Sequence, residues 1–192
     1  SIGWVTPADP TGDTFVGDMR LPDMLHAAIL RSPRAHARLI SIESAKALAI
    51  PGVAAVFTFA DIAPHAKPIP IRLYPLPGLE HFLQYPLARD KVRYVGEPVA
   101  IVVATSRYVA EDALDALDVA YGPLPAVTHV REALHDRVVL HEERGTNLAA
   151  RYTIGIGDVE GAFRAAEYTR KETITVHRHT GNPLETRGLM AQ

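Results

Sequence analysis

The chain has 192 residues with 20 basic and 22 acidic side chains, a formal net charge of −2, and apolar residues make up 47%. That is enough for one sizeable core and leaves no broad positive field for a nucleic acid. There are no cysteines, which excludes disulfides, thiol nucleophiles and thiolate-held zinc or iron–sulfur centres in this chain and fits a reducing, cytoplasmic setting.

No apolar run approaches the roughly 20 residues of a membrane-spanning helix. Residues 1–14 show no basic start followed by an apolar stretch, so no signal peptide is read there. The first structured segments are extended. Residues 24–30 and 37–42 read as strands, and 44–50 as a short helix capped by Ser44 and ended by Pro51-Gly52. Residues 53–59 are β-branched and aromatic and read as a buried strand.

Proline then dominates. Pro64, Pro68, Pro70, Pro75, Pro77 and Pro86 with Gly78 predict a long irregular loop over 63–87. It carries Tyr74, Leu76, Leu79, Phe82, Leu83 and Tyr85, too apolar for a solvated tether, so it is expected to pack on something.

Residues 91–95 read as a short strand before a turn at Gly96. The unbroken apolar run 98–104 reads as a strand covered on both faces. The clearest helix is 106–117, with Val109, Ala113, Leu114 and Leu117 on one face and Glu111, Asp112 and Asp115 on the other. Residues 118–121 read as a strand ended by Gly122-Pro123, 125–130 as extended, and 130–134 as a helical turn.

From 135 to 157 charged and small residues predict a connector. Asp158 caps a helix over 159–166, and 168–179 alternates as a strand. The last residues, 181–192, hold Leu184, Leu189 and Met190 with no stop signal. A strand and helix of this kind cannot close a core alone, so the chain reads as a fragment of, or a subunit docking into, something larger. Its apolar end also argues for self-association into a homo-oligomer.

Site motifs are sparse. Gly155-Ile156-Gly157 through Gly161 lacks the spacing of a dinucleotide fingerprint and reads as a glycine turn into a capped helix. His177 and His179 share a strand face and need a third ligand to hold a metal; the alternative is two polar residues on a sheet face. No catalytic residue and no metal ligand is assigned. Arg31, Arg34, His36 and Arg38 form a basic cluster that would meet an acidic partner or simply border a solvated sheet edge. With Tyr74 and Phe82 they are the interface candidates.

Several segments in order resemble one family: Leu21-Pro22-Asp23-Met24-Leu25-His26-Ala27, Leu30-Arg31-Ser32-Pro33-Arg34-Ala35-His36-Ala37-Arg38, Pro51-Gly52-Val53-Ala54-Ala55-Val56, and Val92-Arg93-Tyr94-Val95-Gly96-Glu97-Pro98-Val99-Ala100. Then come Ala110-Glu111-Asp112-Ala113, Val119-Ala120-Tyr121-Gly122-Pro123-Leu124-Pro125-Ala126-Val127, Gly157-Asp158-Val159-Glu160 and Pro183-Leu184-Glu185-Thr186-Arg187-Gly188. The series is similar to the start of the molybdopterin-binding large subunit of the xanthine dehydrogenase, aldehyde oxidase and aerobic carbon monoxide dehydrogenase family.

The resemblance implies an α+β fold: an α/β-hammerhead domain with a mixed sheet over 1–130, a connector over 131–156, and over 157–192 the opening strand and helix of a molybdenum-cofactor domain. It implies an oxidoreductase that hydroxylates aldehydes or N-heterocycles, or oxidises carbon monoxide, with oxygen from water. Molybdopterin would sit in the complete subunit and none on this chain alone. The [2Fe–2S] clusters and FAD would sit on partner subunits or domains. The pterin loops and the family's catalytic glutamate lie beyond the matched segment. Glu185 and Arg187 are the candidates for organising the cofactor domain, with a structural ion pair or turn as the other reading. A second reading of the whole chain is a free-standing hammerhead module for binding or assembly, with no redox role.

Overall fold

The computed structural model describes residues 15–70, 77–177, 180–182 and 187–191. Its elements run β1 (His26–Arg31), β2 (Ala37–Glu43), α1 (Ala45–Leu48), β3 (Val53–Phe57), α2 (Phe59–Ile62), β4 (Lys91–Val92), β5 (Pro98–Ala104), α3 (Arg107–Asp115), β6 (Asp118–Pro123), α4 (Val130–Ala133) and α5 (Val159–Ala165). Single 3₁₀ turns stand at Val16–Asp18 and Leu79–Phe82. Residues 23–152 form one compact unit; 1–22 with 153–192 form a second.

Within 23–152 the strands make two three-stranded sheets, ordered β1-β5-β3 and β4-β2-β6. The mixed sheet expected from the resemblance is corrected here, because every described pairing is antiparallel. The apolar run 98–104 is the centre strand of the first sheet, with a strand on each edge and Val102 packed against Ala47 of α1 and Ala113 of α3.

Two small-residue clusters form the core. Ala37, Ala88, Val92 and Val99 join Leu39, Ile42, Val119 and Tyr121 in one. Ala47, Val102 and Ala113 join Val53, Val56, Leu114 and Leu117 in the other. Val99 and Val102, three residues apart on β5 and therefore on opposite faces, feed different clusters. The alanines let α1 and α3 lie close to the first sheet, because each lacks side-chain atoms beyond Cβ. Ser106 caps α3 by accepting from the Val109 N–H at 3.2 Å.

Element ends differ from the sequence reading for local reasons. The strand expected over 53–59 stops at Phe57, because Thr58 and Asp61 form a capping box that starts α2. The strand expected over 91–95 stops at Val92, since the chain turns through Gly96 at φ 94°. Strand β6 runs on through Gly122-Pro123, where Arg38 and Ala37 supply partners. Proline sits at the strand's last residue, where the lost donor costs least.

In the second unit Asp158 accepts from the Gly161 N–H at 2.8 Å and caps α5, so the glycine-rich stretch is a capped turn. Gly188 lies so near Val16 that a Cβ there would come within 2.9 Å of its Cγ1. The strand expected over 168–179 is not formed in its described part, 168–177, which is exposed and without ladder pairing. An alternating pattern becomes a strand only where another edge supplies its hydrogen bonds. His179 lies outside the described residues, and among those described no three His, Asp or Glu side chains could hold a metal.

Candidate functional site

The polar residues that converge do so around a cleft of about 440 Å³ in the 23–152 unit. Three stretches far apart in sequence make its walls: the end of the proline-rich loop, the turn from Arg93 to Glu97, and residues 140–143 of the connector.

Glu97 forms the floor. It is only 6% exposed, and its carboxylate accepts the Arg93 backbone N–H at 2.5 Å. Burial pushes its pKa above the ordinary carboxylate value, against the pull of that hydrogen bond and of the Arg93 charge. The turn is stitched to β1 as well. The Ser32 N–H donates to the Glu97 carbonyl at 2.9 Å, and the Gly96 N–H donates to the Ser32 carbonyl at 2.8 Å. Arg31 Nη1 donates to the Gly96 carbonyl at 2.9 Å. Glu97 therefore spends its charge on a backbone turn.

The connector closes the opposite wall. Arg93 Nε donates to the Leu140 carbonyl at 3.0 Å, and the buried Lys91 ammonium pairs with Glu142. His141 packs its ring 4.8 Å from that of Phe82. Burial, and then the Arg93 charge, hold the His141 pKa below the ordinary imidazole value. The connector holds its own shape through Asn147. Its Oδ1 accepts from the Leu140 N–H at 2.9 Å, and its Nδ2 donates to the carbonyls of Val138 (2.7 Å) and Ala133 (3.2 Å).

The described end of the proline-rich loop is packed, as its apolar content required. The Ile69 N–H donates to the Gln84 carbonyl at 2.8 Å, and Tyr94 Oη bonds Gln84 Oε1 at 3.0 Å. Tyr85 meets Phe59 edge-on at 5.1 Å.

The basic cluster is split. Arg31, Arg34 and Arg38 are exposed, but His36 is buried, and its Nδ1 donates to the Pro125 carbonyl at 2.6 Å. His36 thus ties the Pro33 corner to the end of β6 and is not offered at the surface. Phe82 is half-buried against His141 rather than free. Arg187 is exposed; Tyr74 and Glu185 lie outside the described residues. Sequence reading missed Lys91, Glu97, Glu142 and Asn147. A charge set between the glycine and proline of Gly96-Glu97-Pro98, at the mouth of an apolar strand, was the one local signal available.

Two antiparallel three-stranded sheets, with helices laid on one of them and a connector strapped to the other, define an α/β-hammerhead domain. The chain belongs to the aldehyde oxidase and xanthine dehydrogenase family: residues 12–125 match that family's a/b hammerhead domain. It is 38% identical over 186 residues to the 6-hydroxypseudooxynicotine dehydrogenase complex subunit gamma of Paenarthrobacter nicotinovorans, covering 93% of this chain and 23% of that one. It is 39% identical over 186 residues to the carbon monoxide dehydrogenase large chain of Afipia carboxidovorans, covering 90% and 22%. Among solved structures, quinoline 2-oxidoreductase from Pseudomonas putida 86 superposes with a TM-score of 0.58 at 40% identity, over 67% of this chain and 16% of that one. A Cu,Mo-CO dehydrogenase in its carbon monoxide reduced state gives a TM-score of 0.62 at 36% identity, over 81% and 20%. The chain thus spans less than a quarter of the length of these relatives.

Proposed function

We propose that this chain is the N-terminal portion of the large subunit of a cytoplasmic molybdenum hydroxylase, and that it works as a scaffold without catalytic residues of its own. The carrying observation is coverage. Relatives named as a dehydrogenase complex subunit gamma and a hydroxylase large subunit match more than nine-tenths of this chain with less than a quarter of themselves. The reaction class that follows is oxidation of an aldehyde, an N-heterocycle or carbon monoxide with oxygen from water. The chemistry would be done by chain outside these residues.

The cleft is lined by acidic Glu80, Asp90, Glu97 and Glu143 and by basic Arg89 and Arg93 together, a wall of mixed charge, and this reading places the molybdenum cofactor in chain outside these residues. What these residues do is mechanical. Glu97 locks the turn before β5, His36 fastens the corner before β2, and Lys91 with Arg93 straps the connector down. In this reading the exposed Arg31, Arg34 and Arg38 face the FAD-binding or iron–sulfur subunit, and Glu185 and Arg187 are the residues proposed to help organise the cofactor domain that opens at residue 157.

Native mass spectrometry of the endogenous protein tests this. A large complex containing molybdenum, flavin and iron is expected. A lone chain, or a metal-free homo-oligomer, overturns it in favour of a free-standing binding module.

A further inference from the structure

Both sequence neighbours of His141 are held by cations. Arg93 Nε donates to the Leu140 carbonyl at 3.0 Å, and the buried Lys91 ammonium pairs with Glu142. The half-buried imidazole between them lies on Phe82, ring to ring at 4.8 Å. Further on, the Arg144 guanidinium lies against Gly78, where a Cβ would come within 3.1 Å of Nη2. Residues 140–144 thus bridge the turn after β4 and the end of the proline-rich loop, and Leu140, His141 and Glu143 wall the cleft between them.

We infer that His141 is a proton-operated latch: a proton on its ring releases residues 140–144 from the turn and the loop and opens the cleft along that wall. A neutral ring suits this seat. An imidazolium would add a positive charge beside Lys91 and Arg93 and would lose water to the packing against Phe82. On its own segment Glu143 favours the proton, and Glu142 is already engaged by Lys91. From the loop end the His81 backbone bonds the ring and favours the proton too, while the Glu80 carboxylate lies 3.6 Å from the His81 ring. From the other wall come the Arg93 and Lys91 charges, with Arg89, Asp90 and Glu97 also lining the cleft. Burial and then Arg93 outweigh the rest, so the seated ring holds a proton less tightly than it would in water.

The released ring takes a proton at the ordinary imidazole value of 6.5, and the seated ring only below it. The seat's contribution is therefore complete above 6.5 and is lost as pH falls through 6.5 toward the seated value. Glu142 takes no part in that window, because its own pKa is held below 4.5. Glu97 acts in the opposite sense, since acid relieves its buried charge.

Hydrogen exchange by mass spectrometry on the protein, in the assembly in which it purifies, tests this, with protection scaled to an unstructured peptide at each pH. Between about pH 7.5 and 5.5 the parent should lose about threefold or more of its protection over residues 138–147, with β5 and α3 unchanged. His141→Phe keeps a ring against Phe82 and His141→Gln does not. Neither titrates, so both should be flat across the same range. Exchange of the carbon-bound Cε1 hydrogen of His141 reads that ring's own midpoint. It should lie below 6.5 in the parent and nearer 6.5 in Asn147→Ala, whose connector lacks the Asn147 amide bonds. A fall in protection that survives in both His141 variants belongs to another group and overturns the latch. So does a parent whose protection ignores pH, a loss that spreads through β5, or a parent midpoint at or above 6.5.

Discussion

The Lys91 ammonium, 97% buried by its side-chain surface, pairs with the carboxylate of Glu142, 51 residues further along the chain. Lys91 belongs to β4 in the second sheet, and Glu142 belongs to the connector. The pair is unequal, since the Glu142 side chain is 57% exposed. Water screens one partner, while the other has exchanged its hydration for that single carboxylate.

Removing the exposed partner should therefore cost more than a surface ion pair and less than a fully buried one. Glu142→Ala is expected to destabilise the chain by about 1–2 kcal/mol, because it leaves the buried Lys91 charge uncompensated. Lys91→Met combined with Glu142→Ala should recover part of that loss, since the buried charge goes too. Lys91 holds the Glu142 pKa below 4.5. The pair's contribution is then complete above 4.5 and fades as pH falls through the lower folded value. Urea denaturation of the three variants at neutral pH and in acid checks this. A Glu142→Ala chain as stable as the parent would show that Lys91 is satisfied some other way.

Glu97 gives the opposite sign. Its folded pKa is raised, chiefly by burial, so the charged form is the one the fold penalises. That penalty is present above the folded pKa and disappears as pH falls through it toward 4.5. Glu97→Gln keeps an oxygen to accept the Arg93 N–H and removes the charge. It is expected to stay within about 1 kcal/mol of the parent at neutral pH. The parent should gain on it as the solution is acidified. Glu97→Ala leaves the Arg93 amide without its acceptor and should cost about 1–3 kcal/mol at neutral pH, and more as acid relieves the parent of its buried charge. Chemical denaturation at several pH values separates the three curves. A parent that loses ground to Glu97→Gln in acid would contradict the burial argument.

Residues whose surroundings are local were legible in the sequence. The run Pro98–Ala104 was legible as a strand and is the centre strand of its sheet, and Asp158 reads as a helix cap because its partner is three residues away. The cleft was not legible, because its walls come from segments around residues 85, 95 and 141 that no spacing relates. His36 looked like one of a row of surface cations, yet its carbonyl partner is 89 residues distant. Periodicity cannot tell a buried histidine from an exposed one when that partner is remote. Residues 168–177 failed for a related reason, since alternation describes a strand but cannot supply the neighbouring edge.

Asn147 is the remaining case of a distant constraint, and it yields the sharpest local test. Its side-chain amide fills three hydrogen bonds, to the Leu140 N–H and the Ala133 and Val138 carbonyls, so it takes the place of secondary structure in a segment that has none. Asp136, with φ at 50°, closes the same loop by accepting from the Asn147 N–H at 2.7 Å and from Thr146 Oγ1 at 2.7 Å. Asn147→Ala removes the amide and leaves partly buried backbone groups unpaired, at about 1–3 kcal/mol in the stability of the connector. The two sheets share none of those bonds, so their opening free energy should hardly change. Hydrogen exchange by mass spectrometry should then show faster exchange over residues 138–147 with β1, β2 and β5 still protected. Asn147→Asp retains the acceptor for the Leu140 N–H but loses both donors, so it should fall between the parent and the alanine variant. Uniform loss of protection across both sheets would mean that the connector and the hammerhead body open together, and that the strap through Lys91 and Arg93 holds the domain closed.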